Sequence, residues 1–288
     1  MRHNNTVKAI QDRSLYRTTC PVEGGYHQAI IIDARIFSSG HKIEADLCII
    51  GSGLAGLTLA REFLNSGQRI AIVEAGGTAV TASSQQMYRA SSTGAPNHAS
   101  TRSRFRAFGG SGTRWTGQIV PFESIDLEMR ENIAHSGWPV TPTEMQPYYQ
   151  RADAVFDLKP GGEQKQHWPV QDSFVHPLAN TELTESIIRF AHPRDLGTRM
   201  KQELEDSESV SVYLYARLVK TQTHSGGQTV TQLQLSDTLG RTFSIKASQY
   251  VLACGGIENP RLLLASNQND ARRLGNEHDQ VLLFAARV

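Results

Sequence analysis

An α/β fold with a largely parallel sheet is what this sequence predicts, and three observations carry the prediction. A short apolar run, Asp46 to Ile50, stops on a glycine. Apolar residues at helical spacing follow it: Leu54, Ala55, Leu57, Leu59, Ala60, Phe63 and Leu64. A second apolar run, Arg69 to Val73, then closes on an acid, Glu74. Short apolar runs bounded by turn residues suit strands buried on both faces of a parallel sheet. Strand, helix and strand within about 30 residues is the span of one βαβ unit.

The remaining elements follow in order. Residues 1–28 hold Arg2, Lys8, Arg13 and Arg17 but no sustained periodicity and no apolar stretch of signal-peptide length. They are expected to be a disordered tail or an extension upstream of the natural start, with order beginning near Ile30. Gly67 suits the C′ position that ends the first helix. Thr78 to Ser103 is rich in Ser, Thr, Ala and Gln and reads as loop or mobile cover. At Thr141-Pro142-Thr143-Glu144, a cap, a first-turn proline and a back-bonding acid predict a helix start, continuing through Tyr148, Tyr149, Ala152 and Val155. Residues from about 157 to 180 read as surface loop. After residue 208, Val210, Val212 and Leu214 alternate, and Gly226-Gly227 and Asp237 to Gly240 mark turns. That pattern predicts an antiparallel meander leading into a buried strand, Gln249 to Cys254. Asn259-Pro260 opens a last helix with Leu262, Leu263 and Leu264. The expected organisation is one domain over 29–281, with a helical and loop insertion over about 121–207.

Composition narrows the function classes. The chain has 288 residues, 39% hydrophobic and 20% charged, with a formal net charge of +1. That balance excludes a chain disordered by its charge and argues against a bulk basic surface for nucleic acid. No apolar run is long enough for a membrane helix. Three cysteines, Cys20, Cys48 and Cys254, lie far apart without a C-x-x-C pair, so neither a disulfide framework nor a metal site is expected. A reducing, cytoplasmic setting is the default.

Gly51-x-Gly53-x-x-Gly56 lies between the first buried strand and its helix. Such glycines permit a tight turn, close approach of a pyrophosphate and tight helix–strand packing, while the helix N-terminus offers unpaired N–H groups. Glu74, ending the second strand, can accept the hydroxyls of an adenosine ribose and disfavours a 2′-phosphate. Both NAD and FAD use such a unit. A plain NAD domain would continue with further βα units. A long insertion, a meander and a late strand ending in Ala253-Cys254-Gly255-Gly256 instead resemble the layout of Rossmann-like FAD-binding domains.

Three segments sharpen the resemblance: FGGSGTRWTGQ (108–118), GWPVTPTEMQPYYQRA (137–152) and VLACGGIENPRLLLAS (251–266). Together they resemble the glucose–methanol–choline oxidoreductase family, and Ile31-Ile32-Asp33-Ala34-Arg35 fits its bacterial, pyranose-oxidase-like branch. The resemblance implies hydride transfer from the CH–OH group of an alcohol or sugar to FAD. It places Gly51, Ser52, Gly53, Leu54, Ala55, Gly56, Glu74 and Ala75 at the ADP part. Arg106, Gly109, Gly110, Ser111 and Thr113 fall along the pyrophosphate and flavin edge, with Thr116 and Gly117 near the flavin N5–O4 edge. Val219 is placed at the adenine through its backbone, and Ala253, Cys254 and Gly255 along the cofactor. Simpler readings stand beside these: Arg102, Arg104 and Arg106 as a solvated charge run, Val219 as a core residue, Cys254 as a small buried filler. Where pyranose oxidases carry a flavin-linked histidine before the tryptophan, this chain has Arg114, so non-covalent FAD is expected.

The family's catalytic histidine and its His or Asn partner have no matching motif here, so no catalytic residue is assigned. His278 reads as structural. Residues 282–288 depart from the family pattern and suggest a truncated product lacking the substrate domain. A non-catalytic FAD-binding remnant and another flavoprotein oxidase or monooxygenase are the competing readings. Substrate identity, electron acceptor and oligomeric state stay open.

Overall fold

A computed structural model describes residues 30–90, 102–133, 136–158, 188–191, 195–224 and 229–266. The expected tail over 1–28, the segment with His278 and the end over 282–288 lie outside the described residues. In chain order the elements are β1 (Ile30–Asp33), β2 (Lys42–Ile50), α1 (Leu54–Glu62), β3 (Ile70–Val73), α2 (Ala82–Gln86), β4 (Gln118–Ile119), α3 (Ser124–Leu127), α4 (Pro142–Val155), β5 (Arg189–Phe190), α5 (Leu196–Glu205), β6 (Val210–Leu214), β7 (Arg217–Thr223), β8 (Val230–Ser236), β9 (Thr242–Leu252) and α6 (Glu258–Ser266). They fall into two compact units, one built from residues up to 110 and from 200 onward, the other from 111–199.

The first unit is organised by a seven-stranded sheet in the order β1-β6-β3-β2-β9-β8-β7. β1, β6, β3, β2 and β9 run parallel, and β8 and β7 complete the sheet antiparallel. Ile49 of β2 sits between Ile72 of β3 and Val251 of β9. All four residues of β3 are buried, as are Leu47 to Ile50, which is what a central parallel strand covered on both faces demands. Cys48, Ile50, Ala71 and Val73 join Leu233, Leu235, Phe243 and Ile245 in one apolar cluster. The α/β, Rossmann-like expectation therefore holds.

Three details depart from the sequence reading. β6 is not part of the meander. Its alternating Val210, Val212 and Leu214 are all buried, but it pairs in parallel with both β1 and β3, and the antiparallel pairs of this sheet are β7–β8 and β8–β9. Alternation fixes which side chains turn inward, not the direction of the neighbours. α1 ends with its cap at Phe63, a turn before Gly67. Ser66 explains the early stop: its N–H and its Oγ both donate to the Phe63 carbonyl, at 3.0 and 2.8 Å, so a side chain and a turn take that acceptor. Inside the stretch read as loop, Ala82–Gln86 is helical, started by a reciprocal cap between Thr81 and Ser84. One alanine and four polar residues carry no apolar period, so nothing in the pattern announced that helix.

The second unit carries α3, α4 and the antiparallel β4–β5 pair. α4 begins as its motif predicts. Thr141 Oγ1 accepts from the Glu144 N–H at 3.2 Å, and Glu144 Oε2 accepts from the Thr141 N–H at 2.7 Å. Within this unit Arg189 reaches Asp153 at 2.7 Å and Arg199 donates to the Val155 carbonyl at 2.6 Å.

Candidate functional site

The turn between β2 and α1 is shaped by its glycines, each for a separate reason. Gly51 has φ +105°, a conformation that favours glycine, and a Cβ there would stand 2.6 Å from the Ala253 carbonyl oxygen. Gly56 packs its backbone on the turn so closely that a Cβ would run into the Gly51 carbonyl. Gly53 differs: its φ is −75° and nothing lies within 4 Å of where its Cβ would be. It is the N-cap of α1, and no side chain caps that terminus. Gly110 closes in from the other side, with space for a Cβ only 2.9 Å from the Gly53 Cα. A bare helix N-terminus behind two side-chain-free residues offers backbone donors that an anion such as a phosphate can approach.

Glu74 and Ser52 are bound to each other. Glu74 Oε2 accepts from the Ser52 Oγ at 2.7 Å and from the Ser52 N–H at 3.2 Å, while Oε1 accepts from the Gly76 N–H at 2.7 Å. The Ser52 carbonyl in turn accepts from the Gly109 N–H at 2.9 Å. Every polar atom of Ser52 is thus used inside the protein, and the residue is fully buried. Burial pushes the Glu74 carboxyl up, against the opposing pull of its three donors and of the Arg106 charge. Oε1 carries one described hydrogen bond and a carboxylate oxygen has two acceptor positions, so this atom can accept a further hydroxyl.

Arg106 is buried, which removes it from a solvated charge run. Its backbone is fixed by the helix that the sequence did not reveal. Gln85 on α2 donates from Nε2 to the Arg104 carbonyl at 2.8 Å and accepts the Arg106 N–H at 2.9 Å. The Arg106 carbonyl packs on Gly76, beside Glu74. Both guanidinium groups lie over the Tyr88 ring, at 4.3 Å for Arg104 and 4.2 Å for Arg106. Both reach Glu258 at the start of α6, at 3.3 and 3.5 Å. Tyr88 and Glu258 were not singled out from sequence, and Arg104 was read only as part of a solvated charge run. Glu258 sits within the quoted segment 251–266, but nothing there says that it faces arginines more than 150 positions away.

The end of β9 adjoins this cluster. Ala253 N–H donates to the Ile50 carbonyl at 2.7 Å, and Gly255 has φ +87°. Asn259 ties the turn together: Oδ1 accepts the Cys254 N–H at 2.9 Å and Nδ2 donates to the Leu252 carbonyl at 3.1 Å. The Cys254 thiol donates to the Ile50 carbonyl at 3.1 Å, and burial pushes its pKa up to about 12. It is an inert thiol rather than a nucleophile. Val219 lies on β7 and is 42% exposed, so it is not a core residue, and the pairing with β8 skips it at an irregularity between Leu218 and Lys220.

Ser111, Thr113, Thr116 and Gly117 belong to the second unit. Ser111 and Thr113 lie in a 3-10 turn over Gly110–Thr113. Gly117 has φ +83°, and its carbonyl accepts the Ala191 N–H at 2.7 Å, beginning the β4–β5 pair. Trp115 packs on Phe156 with ring centroids 5.6 Å apart. Among the described residues no three His, Cys, Asp or Glu side chains group as a metal site, and no helix is long and apolar enough to cross a membrane.

A family model described as "FAD binding domain" matches residues 46–285. Comparison with curated protein sequences gave no match. Among solved structures, pyridoxine 4-oxidase from Mesorbium loti aligns with 19% identity and a TM-score of 0.52, over 77% of this chain and 52% of that one. Formate oxidase of Aspergillus oryzae RIB40, in a variant structure (R554K), aligns with 16% identity and a TM-score of 0.46, over 80% of this chain and 48% of that one. The chain thus spans about half the length of these oxidases. The likeness to the pyridoxine oxidase shows a shared fold.

Proposed function

This chain belongs to the FAD binding domain family, and on that premise we propose that it is the cofactor-holding part of an oxidoreductase of the glucose–methanol–choline type. When bound, FAD supplies the hydride acceptor for a CH–OH carbon of an alcohol or sugar. The observation that carries the reading is the cradle at Gly53. A helix N-terminus without a side-chain cap lies open in front of it, and the flanking glycines leave no room for side chains.

The chain's residues fit an FAD diphosphate on a second, independent ground. Arg104 Nε and Arg106 Nε are buried donors with no partner among the described residues, and an unpaired buried donor is costly unless a ligand fills it. In this reading Gly51, Ser52, Gly53, Leu54, Ala55 and Gly56 form the floor under the ADP, with Glu74 and Ala75 at the ribose. Arg106, Gly109 and Gly110 serve the diphosphate. Val219 offers backbone to the adenine, and Ala253, Cys254 and Gly255 wall the cofactor. Ser111, Thr113, Thr116 and Gly117 are assigned to the flavin on motif resemblance alone. Arg114 stands where a covalent histidine would be, so attachment is non-covalent.

One experiment tests both parts of the reading. The purified chain is mixed with FAD and passed through gel filtration, and its visible spectrum is recorded before and after acid precipitation. A flavin band that co-elutes with the protein and moves to the supernatant on precipitation is the expected result. A folded chain that elutes without flavin overturns cofactor binding, and flavin that stays on the precipitate overturns non-covalent attachment. Flavin bleaching by a panel of alcohols and sugars under anaerobic conditions, with the C-terminal half of a relative supplied in trans, then tests the donor class.

A further inference from the structure

The second unit contains a ribbon with inverted faces. β4 and β5 pair antiparallel as a two-stranded sheet, with Gln118 opposite Phe190 and Ile119 opposite Arg189. Continuing that register sets Val120 opposite Ile188. Partners across an antiparallel pair point to the same side, and successive residues point to opposite sides. One side therefore carries Ile119 and Arg189, and the other carries Gln118, Val120, Ile188 and Phe190. The first side is turned inward: Arg189 reaches Asp153 of α4 at 2.7 Å, with the two side chains only 14% and 13% exposed. The second side is open, with Val120 52%, Ile188 47% and Phe190 48% exposed.

A ribbon with one wet face places its polar residues on that face and its apolar residues against the core. Here the one ionisable residue of the ribbon, Arg189, is held inward by an ion pair, while three large apolar side chains face water. Burying an ion pair does little for the stability of a fold, so this unit alone gives no reason for the inversion. A covered outer face does give one. Of the fourteen large apolar side chains exposed among the described residues, nine lie between Val120 and Phe190, so cover is wanting in this unit more than in the first.

Charge decides what can cover the ribbon. The other exposed apolar stretch of the unit, with Ile125, Met129 and Ile133, is interleaved with Asp126, Glu128 and Glu131 against one base, Arg130. Set against its own copy, that stretch would oppose like charges. The ribbon face carries no charge. A two-fold contact sets a patch against the same patch of a second copy, and an uncharged patch meets itself without repulsion. Gln118 at its margin is both donor and acceptor and can pair with its own copy. Three side chains about half exposed leave on the order of 300 Å² per copy, against roughly 800 Å² per partner in a stable complex. The contact is therefore one that dissociates on dilution.

We propose that the β4–β5 ribbon is a self-association surface, on which two copies of this chain stack face to face about a two-fold axis and bury Val120, Ile188 and Phe190 of each. This association is independent of the cofactor reading. It is tested by sedimentation velocity of the full chain over a wide range of concentration, with circular dichroism as the check on folding. The variants I188K/F190K and I188E/F190E place like charges on the face. L264E alters an exposed apolar position on α6 of the first unit and serves as the control. The parent chain and L264E are expected to pass from monomer to dimer with the same dissociation constant. Each ribbon variant alone should dissociate at least tenfold more readily, since like charges are then opposed. A mixture of the lysine and glutamate variants should regain the dimer, because their faces are complementary. If a double variant does not fold, V120K and V120E on the neighbouring strand replace the pair. A parent chain that stays monomeric at every concentration overturns self-association and leaves the face to another partner. A dimer that the ribbon charges leave intact, a dimer that L264E dissolves, or folded variants that fail to associate when mixed overturn it as well.

Discussion

The glycine turn and the arginine cluster serve one corner of the first unit with opposite means. At residues 51–56 the site is made of backbone: Gly51 and Gly56 exist to keep side chains out, and the N–H groups of α1 do the binding. Around Glu258 the site is made of long side chains brought from α2, the 102–110 segment and α6. A backbone site is specified by steric exclusion within six residues. The side-chain site depends on contacts between residues 85, 88, 104, 106, 258 and 261, and the fold must be complete before any of them meet.

That contrast is sharpest among the glycines themselves. Gly56→Ala forces a Cβ into the Gly51 carbonyl and within 3.3 Å of Ile49 Cγ2, so α1 must lift from β2. A loss of about 3 kcal/mol in urea unfolding is expected, the upper end of what overpacking costs. Gly53→Ala meets nothing within 4 Å and keeps an ordinary φ of −75°. It should unfold within about 0.5 kcal/mol of the parent, the range of benign surface changes, yet lose FAD affinity by about tenfold as the methyl group fills the cradle. If Gly53→Ala instead destabilises like Gly56→Ala, the division of one motif into a packing glycine and a ligand glycine fails.

The same asymmetry decides what was legible in the sequence. The turn, Glu74 and the strands β2, β3 and β9 follow from patterns within single segments, and the structure holds them where the spacing implies. The parallel pairing of β6 was hidden, because burial alternates identically in a parallel and an antiparallel neighbour. α2 was hidden for lack of an apolar period, although Gln85 hydrogen-bonds the backbone of both Arg104 and Arg106. Arg104 read as solvated because an R-x-R-x-R run looks like a charged surface. Only the partner on α6, remote in sequence, shows otherwise.

The two carboxylates of the corner answer pH in opposite senses, a second and smaller way to separate the regions. Burial raises Glu74 above its ordinary value of 4.5. Its folded state favours the protonated form, so the stability it contributes is full below pH 4.5 and is lost as pH rises through the raised value. Glu258 is lowered from 4.5 by Arg261, Arg106 and Arg104 against its desolvation. The stability it contributes is present above pH 4.5 and is lost as pH falls through the lowered value. Urea unfolding followed from pH 3 to 8 should therefore lose its fall above pH 4.5 in E74Q and its acid limb in E258Q. The opposite assignment of the two limbs would mean that the carboxylates had been given each other's environments.

Tyr88 offers the mildest change to the side-chain region. Its ring lies under the guanidinium carbons of both Arg104 and Arg106, at 4.3 and 4.2 Å, and a partly desolvated cation–π contact is worth about 1 kcal/mol. Tyr88→Phe keeps the ring face and should leave stability and FAD affinity near those of the parent. Tyr88→Leu keeps apolar volume but removes the quadrupole that offsets two neighbouring positive charges. It should cost about 1 kcal/mol in unfolding, and it should weaken FAD binding while leaving the Gly53 cradle intact. The Gly53→Ala and Tyr88→Leu losses should then add when combined, provided that the backbone donors and the side-chain donors hold the ligand independently. A double variant no weaker than Gly53→Ala alone would show that the Arg104–Arg106 cluster engages the ligand only after the cradle has taken the first phosphate. The two means of binding would then be one sequential device.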